Sequence, residues 1–266
     1  MNNYEEKYYK KAEDKSDFAG GYRKYILDIV EKNLKDKVRV LELGCGEGSF
    51  SNIFSGKIEY WGVDVSRIAI ESAKEKNVSG SGKFVLIDRD SDKLPFNDDK
   101  FDFVFGVYSL EHFKRPREMI DEAVRVLALG GCLIFLAPNL EFPLSYINAV
   151  RHKSIFYKVR LGIKRTLDYF MRVCGKSRFR TLEENFTSAT GRYERLDDDL
   201  VYITSSFEVI NYLKNKHRMK EVFSEKRNKT KKSFGIKESL KTIIALMPAM
   251  EYYGNVLFVV MQNDQR

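Results

Sequence analysis

Three glycines at alternate positions, Gly44, Gly46 and Gly48, follow the largely apolar run Val38 to Leu43, and Asp64 closes the next apolar run. A run of that kind suits a buried parallel strand, and glycines after it let the backbone turn sharply and lie against a ligand with no Cβ in the way. Asp64 falls about 20 residues past the first glycine, where a carboxylate can accept hydrogen bonds from ribose hydroxyls. A bare strand-to-helix turn would account for the glycines but not for the acid. The spacing also bears on the ligand. A dinucleotide fingerprint is G-x-G-x-x-G with the pyrophosphate on a helix N-terminus, whereas this loop reads G-x-G-x-G. Glu42 places an anion two residues before the first glycine. That charge is unhelpful beside a pyrophosphate and compatible with a ligand carrying an ammonium and a sulfonium, as S-adenosylmethionine does.

Further motifs follow in order: Phe84-Val85-Leu86-Ile87-Asp88, Leu94-Pro95-Phe96, Phe101-Asp102-Phe103-Val104, Leu110-Glu111-His112, Arg125-Val126-Leu127 with Gly130-Gly131, and Pro138-Asn139. On these residues the chain resembles a class I S-adenosylmethionine-dependent methyltransferase of the type 11 or ubiquinone-biosynthesis-like group, over about residues 38 to 140, the size of one domain. The resemblance implies S-adenosyl-L-methionine as cofactor, held by Glu42, Gly44, Cys45, Gly46, Gly48, Asp64, Val65, Asp88 and Tyr108. The acid facing the adenine amino group is Asp88 or Asp90. Asp88 is preferred because it directly ends its strand. One departure is Ala128-Leu129, where the family has Lys-Pro before the paired glycines; it should alter the turn and spare the cofactor pocket.

A hydroxyl acceptor must lose a proton during transfer, and His112 is the best-placed base, its ordinary pKa of about 6.5 suiting proton transfer near neutrality. A role shaping the loop or touching the cofactor is the competing reading. Asn139 follows Pro138 at the mouth of the fifth strand, where loops of such sheets meet ligands. Tyr4, Tyr8 and Tyr9 either close over the cofactor or serve as packing, and His152 and His217, in basic surroundings, read as surface residues. No spacing of His and carboxylates argues for a metal. Cys45, Cys132 and Cys174 are widely spaced with no C-x-x-C, so neither a disulfide framework nor a zinc site is indicated.

The elements that must position these residues alternate. Strands are expected at 38 to 43, 58 to 63, 83 to 87, 101 to 107 and 132 to 137, with helices at about 66 to 77 and 116 to 128, Ser66 capping the first. A helix from Gly21 to Asn33 precedes them. A helix capped by Ser205 or Ser206, a strand around 219 to 223 and a final strand 256 to 261 complete the set. This order predicts an α/β fold: a Rossmann-like, doubly wound, seven-stranded, mostly parallel sheet, with the antiparallel last strand implied by the resemblance and with a helical insertion. Four segments result: a helical lid segment at 1–37, the S-adenosylmethionine-binding core at 38–140, a basic helical insertion at 141–200 serving as substrate lid, and 201–266 completing the sheet.

The insertion holds most of the charge. From Arg151 to Arg180, Arg151, Lys153, Lys158, Arg160, Lys164, Arg165, Arg172, Lys176, Arg178 and Arg180 face the single acid Asp168, an excess larger than the formal net charge of +8 for the whole chain. Ile155, Val159, Ile163, Leu167 and Met171 recur every fourth residue, with Phe156 and Phe170 on the same side, which describes a basic amphipathic helix. Three roles fit it: packing on the core with a solvated charged face, a lid that holds an anionic acceptor, or contact with anionic lipid. A second basic run, Lys214 to Lys232, lacks an apolar pattern and reads as a solvated loop.

At 266 residues and 43% hydrophobic content the chain suits one sizeable globular domain with additions. Its beginning lacks a signal-peptide pattern, and runs such as Ile243 to Met250 fall short of the roughly 20 residues needed to cross a bilayer. A cytoplasmic location, peripheral to a membrane in the lipid-contact reading, is expected. Nucleic acid is disfavoured, for although the sequence pI is about 9.1, no recognition module is apparent. Base-amino methylation would call for an Asn or Asp-Pro-Pro-Tyr type motif, where this chain has Gly106-Val107-Tyr108-Ser109. The expected activity is methyl transfer to an oxygen or nitrogen of a small anionic metabolite or nucleotide-linked sugar. The alternatives are a peripheral membrane methyltransferase on a lipid-linked acceptor, and a non-catalytic S-adenosylmethionine-binding regulator.

Overall fold

In the computed structural model the described residues are 20–32, 37–54, 58–77, 80, 82–88, 91, 93–140, 147–151, 153–182, 200–224 and 256–264. Seven strands form one sheet: β1 (Val38–Leu43), β2 (Ile58–Asp64), β3 (Gly82–Leu86), β4 (Phe101–Val107), β5 (Leu127–Pro138), β6 (Lys220–Ser224) and β7 (Val256–Gln262). Their order is β3-β2-β1-β4-β5-β7-β6. The first five run parallel, with Val40 opposite Tyr60 on one side and Phe103 on the other, while β7 is antiparallel to both β5 and β6. The expected fold class is therefore the one observed.

Alternation along the strands sends apolar side chains to both faces, as a sheet covered on two sides requires. In β7, Leu257, Val259 and Met261 join one core with Ile120, Ala123, Val126, Val209, Ile210 and Leu213, whereas Phe258 and Val260 join the other with Ile26, Val30, Ile70 and Ala73. Helices α3 (Pro116–Val126) and α5 (Ser206–His217) supply the first set, and α1 (Gly20–Lys32) and α2 (Arg67–Lys76) the second. The Ser66 hydroxyl accepts from the Ala69 amide at 3.2 Å and starts α2 as expected, and Ser205, rather than Ser206, caps α5 through the Glu208 amide at 3.0 Å.

Strand β5 begins at Leu127, five residues earlier than the 132 expected, because the chain pairs with β4 directly after α3 and absorbs a bulge between Phe101 and Phe103. The Gly130-Gly131 stretch is tied to the end of β7, the Gly130 amide donating to the Asn263 carbonyl at 2.6 Å and the Asn263 amide to the Gly131 carbonyl at 2.9 Å. The Leu94-Pro95-Phe96 and Arg125-Val126 motifs share a structural explanation. Glu122 accepts from the Leu94 amide at 2.8 Å while Arg125 donates to the Phe96 and Leu94 carbonyls at 2.9 and 3.1 Å, clamping the segment before β4 onto α3.

Helix α4 (Ile155–Val173) is the basic amphipathic helix, but its orientation is opposite to simple core packing. Its buried residues are Leu161, Arg165, Asp168, Tyr169 and Arg172, and its apolar stripe, Ile155, Phe156, Val159, Ile163, Leu167 and Phe170, is exposed. Lys214 and Lys216, read as part of a solvated loop, lie on α5. Lys226 to Lys232, Asp90, His152 and Tyr4, Tyr8 and Tyr9 lie outside the described residues.

Candidate functional site

The strand order reverses direction between β1 and β4: the chain builds outward from β1 to β3 and then returns to the other side of β1. Beyond the carboxyl ends of strands at such a point a crevice opens, and open α/β sheets bind ligands there. Residues 44–48 follow β1, Asp64 ends β2, Asp88 follows β3, residues 108–112 follow β4 and Asn139 follows β5. Parallel pairing thus collects the sequence-predicted residues at one end of the sheet.

The glycine loop is shaped by backbone geometry. Gly44 and Gly48 have φ of +71° and +72°, and a Cβ at Gly44 would lie 2.5 Å from the Ser109 Cβ, one at Gly48 2.6 Å from the Phe84 ring. Gly44 therefore lets the β4 turn press against the loop. The amides of Gly44 and Cys45 both donate to the Val63 carbonyl, at 2.8 and 3.0 Å. The two oxygens of Asp64 accept from the amides of Gly46 at 2.9 Å and Ser66 at 2.8 Å, which holds the carboxylate between loop and helix.

Glu42 is 4% exposed and accepts from the Tyr60 hydroxyl. Burial pushes its carboxyl up to about 8, opposed by the Tyr60 hydrogen bond and the Arg23 charge. Burial likewise raises the Tyr60 phenol well above its ordinary range, with the Glu42 charge adding to the effect. Sequence reasoning found Glu42 and missed Tyr60 and Arg23. A buried-register phenol in the middle of β2, the strand that pairs with β1, was the available signal for Tyr60; Arg23 comes from a distant helix and left none.

Cys45 packs its thiol into the core against Gly62, and burial raises that thiol well above its ordinary value, so only its main chain faces the loop. Val65 is 40% exposed beyond Asp64, and Asp88 is exposed. Tyr108 has φ of +50°, a conformation that costs a bulky residue of order 1–3 kcal/mol and concentrates at functional sites. Its amide donates to the Leu136 carbonyl at 2.7 Å, tying the β4 turn to β5. In the next short turn, Leu110–His112, Leu110 and Glu111 are fully buried while the His112 side chain is 22% exposed, with Nε2 3.9 Å from Glu111 Oε1. The Glu111 carbonyl accepts the amides of Val201 and Tyr202, both at 2.8 Å, which brings residues 200–202 to the same turn.

Asn139 is buried, its Oδ1 accepting from the Ser206 amide at 3.4 Å at the start of α5. His217 is a tie rather than a free surface group: Nε2 lies 2.6 Å from Asp121 Oδ1, and Tyr212 and Lys216 meet the same carboxylate. Burial would raise Asp121, but hydrogen bonds from Lys216, His217 and Tyr212 outweigh it and hold the carboxyl below its ordinary value. This cluster joins α3 to α5. Among the described residues no group of His, Cys and acidic side chains could hold a metal.

The family described as methyltransferase domain matches residues 41–135. An uncharacterized protein of Methanocaldococcus jannaschii is 37% identical over 123 residues, covering 46% of this chain and 56% of that one. Malonyl-[acyl-carrier protein] O-methyltransferase of Legionella pneumophila is 33% identical, covering 44% of each. The chain thus spans about half the length of these curated relatives. An S-adenosylmethionine-dependent methyltransferase structure from Mesorhizobium loti shares the fold, with a TM-score of 0.52 and 15% identity over 88% of this chain and 96% of that one. The glycine cradle, the acid at the end of β2 and the seven-stranded order agree with the match over residues 41–135, and the fold is that of class I S-adenosylmethionine-dependent methyltransferases.

Proposed function

We propose that the protein transfers a methyl group from S-adenosylmethionine to an oxygen or nitrogen of a small anionic acceptor. The observation that carries this reading is the meeting of the glycine loop, Asp64 and the strained Tyr108 turn at the switch point between β1 and β4. When bound, the cofactor supplies a methyl carbon made electrophilic by its sulfonium. Gly44 and Gly48 let the loop close against Ser109 and Phe84 and so fix, with Gly46, the backbone that faces it; Asp64 and Val65 take the ribose and adenine side, Asp88 the adenine amino group, and Glu42 compensates positive charge. Tyr108 bounds the methyl-facing side. Holding acceptor and methyl carbon in line is worth up to roughly 7–11 kcal/mol, which makes positioning the main task of these residues, and His112 takes the acceptor proton. Arg165 supports an anionic acceptor: it is buried beside the end of β5, donating to the Leu140 carbonyl at 3.0 Å. A second reading, an acceptor carried on a lipid, draws on the outward apolar stripe of α4.

Calorimetric titration of S-adenosylmethionine and of NAD into wild type and Asp64→Ala tests the assignment. Binding of S-adenosylmethionine by wild type, weakened in the variant, is the expected result. NAD binding without S-adenosylmethionine binding would overturn it. Release of S-adenosylhomocysteine across pools of anionic metabolites then identifies the acceptor.

A further inference from the structure

The exposed stripe of α4 is a surface built in an unusual way. Ile155 is 76% exposed, Phe156 78%, Val159 55%, Ile163 59%, Leu167 59% and Phe170 58%. At 100° per residue these six occupy about one third of the helix circumference and run from its first residue to Phe170, about 24 Å. A helix that exposed such a stripe by chance could rotate to bury it. Here rotation is opposed by the other face. Asp168 pairs with Arg180, the second contact 2.9 Å from Arg180 Nη2, Arg165 reaches the Leu140 carbonyl, and Arg172 Nε lies 4.0 Å from Glu208. Glu208 in turn accepts the amides of Arg178 and Phe179 at 2.5 and 2.9 Å and the Tyr202 hydroxyl at 3.1 Å. The charged face is locked inward and the apolar stripe outward.

Among the described residues of 151–180, the exposed charges that border the stripe are basic. Arg160 and Lys164 flank it on the helix, and the exposed Lys176 and Arg178 follow its carboxyl end. The only acid from 151 to 180, Asp168, is buried in its pair. No helix among the described residues is long and apolar enough to cross a membrane. An apolar face with a basic border, on a helix that cannot span, is the composition that lies in the interfacial plane of an anionic bilayer.

We propose that α4 attaches the protein to an anionic lipid surface, Phe156, Val159, Ile163, Leu167 and Phe170 entering the acyl boundary while Arg160, Lys164, Lys176 and Arg178 meet the headgroups. This attachment is independent of cofactor binding and of methyl transfer, so either can fail without the other. The test is co-sedimentation of the full chain with vesicles of phosphatidylcholine alone or of phosphatidylcholine with phosphatidylglycerol. Wild type should pellet with the anionic vesicles only, less so at high salt. Phe156→Ser/Phe170→Ser keeps the net charge and removes two exposed rings, so its folding should be unchanged by circular dichroism. It should bind at least about tenfold more weakly. Arg160→Ser/Lys164→Ser should lose about fivefold per charge. Failure of wild type to pellet with anionic vesicles would overturn the proposal. Unchanged binding by the two-Phe variant would overturn it too, by showing adhesion of a generally basic chain. If sedimentation equilibrium instead shows a dimer that the two-Phe variant dissociates, with no lipid binding, the stripe belongs to a second copy and the proposal is wrong.

Discussion

Glu42 is the residue in the cofactor end whose protonation the fold alters most usefully. Its carboxyl, raised from 4.5 to about 8 by burial, keeps a proton in the folded chain that the unfolded chain gives up. Stability should therefore fall as pH rises from about 4.5 to about 8, the sign expected when the folded state binds the extra proton. Glu42→Gln removes that slope, to be read from denaturation midpoints across this range. A cationic ligand favours ionised Glu42, so affinity for S-adenosylmethionine should increase as pH approaches 8 in wild type and less so in Glu42→Gln; equal pH profiles would refute the charge role. At His112, replacement by Asn should lower kcat by about 10²- to 10⁴-fold with cofactor affinity unchanged, whereas an unchanged kcat leaves the side chain only shaping its turn. Among these residues the glycines, Asp64 and Glu42 were legible in the sequence because each is placed by the few residues beside it. Tyr60 and Arg23 were not, since their importance arises from what they approach across the sheet.

The secondary elements show the same division. Strand positions were readable from alternation and apolar runs, and the caps Ser66 and Ser205 from their place before helical patterns. Ser205→Ala should cost about 1 kcal/mol by leaving the Glu208 amide without its cap, measurable by urea denaturation. Helix α4 was legible as an amphipathic helix, yet period alone marks a stripe and says nothing of which side meets the protein. That side is chosen by Arg180, Glu208 and the Leu140 carbonyl, which come from separate segments. Asp168→Asn breaks the buried pair with Arg180 and should destabilise by about 3 kcal/mol or more. It should also loosen the orientation of α4, detectable as faster hydrogen exchange over 155–173 with the cofactor end of the sheet unchanged.

At the scale of the whole molecule, the sheet with its two apolar faces is a platform whose carboxyl end is filled by loops, so ligand binding there stabilises the fold by mass action. S-adenosylmethionine at a hundredfold excess over its Kd should add about 2.7 kcal/mol, a rise of roughly 5–10 °C in Tm for a chain of this size. Asp64→Ala at the same concentration should show a much smaller rise, and an equal one would place the ligand elsewhere. If α4 holds the protein on a bilayer, that rise should persist with vesicles present, because the stripe and the cofactor end use different residues. The amino-acid sequence by itself determined the α/β order, the glycine cradle with Asp64 and the amphipathic period of 155–173, all encoded over short stretches by spacing, turn residues and alternation. Only the tertiary structure decided that burial raises Glu42 against the opposing pull of Tyr60 and Arg23, that Asn139 and His217 tie helices, and that the apolar stripe of α4 faces outward. Each of these depends on partners far apart in the chain, and only the folded arrangement makes them neighbours.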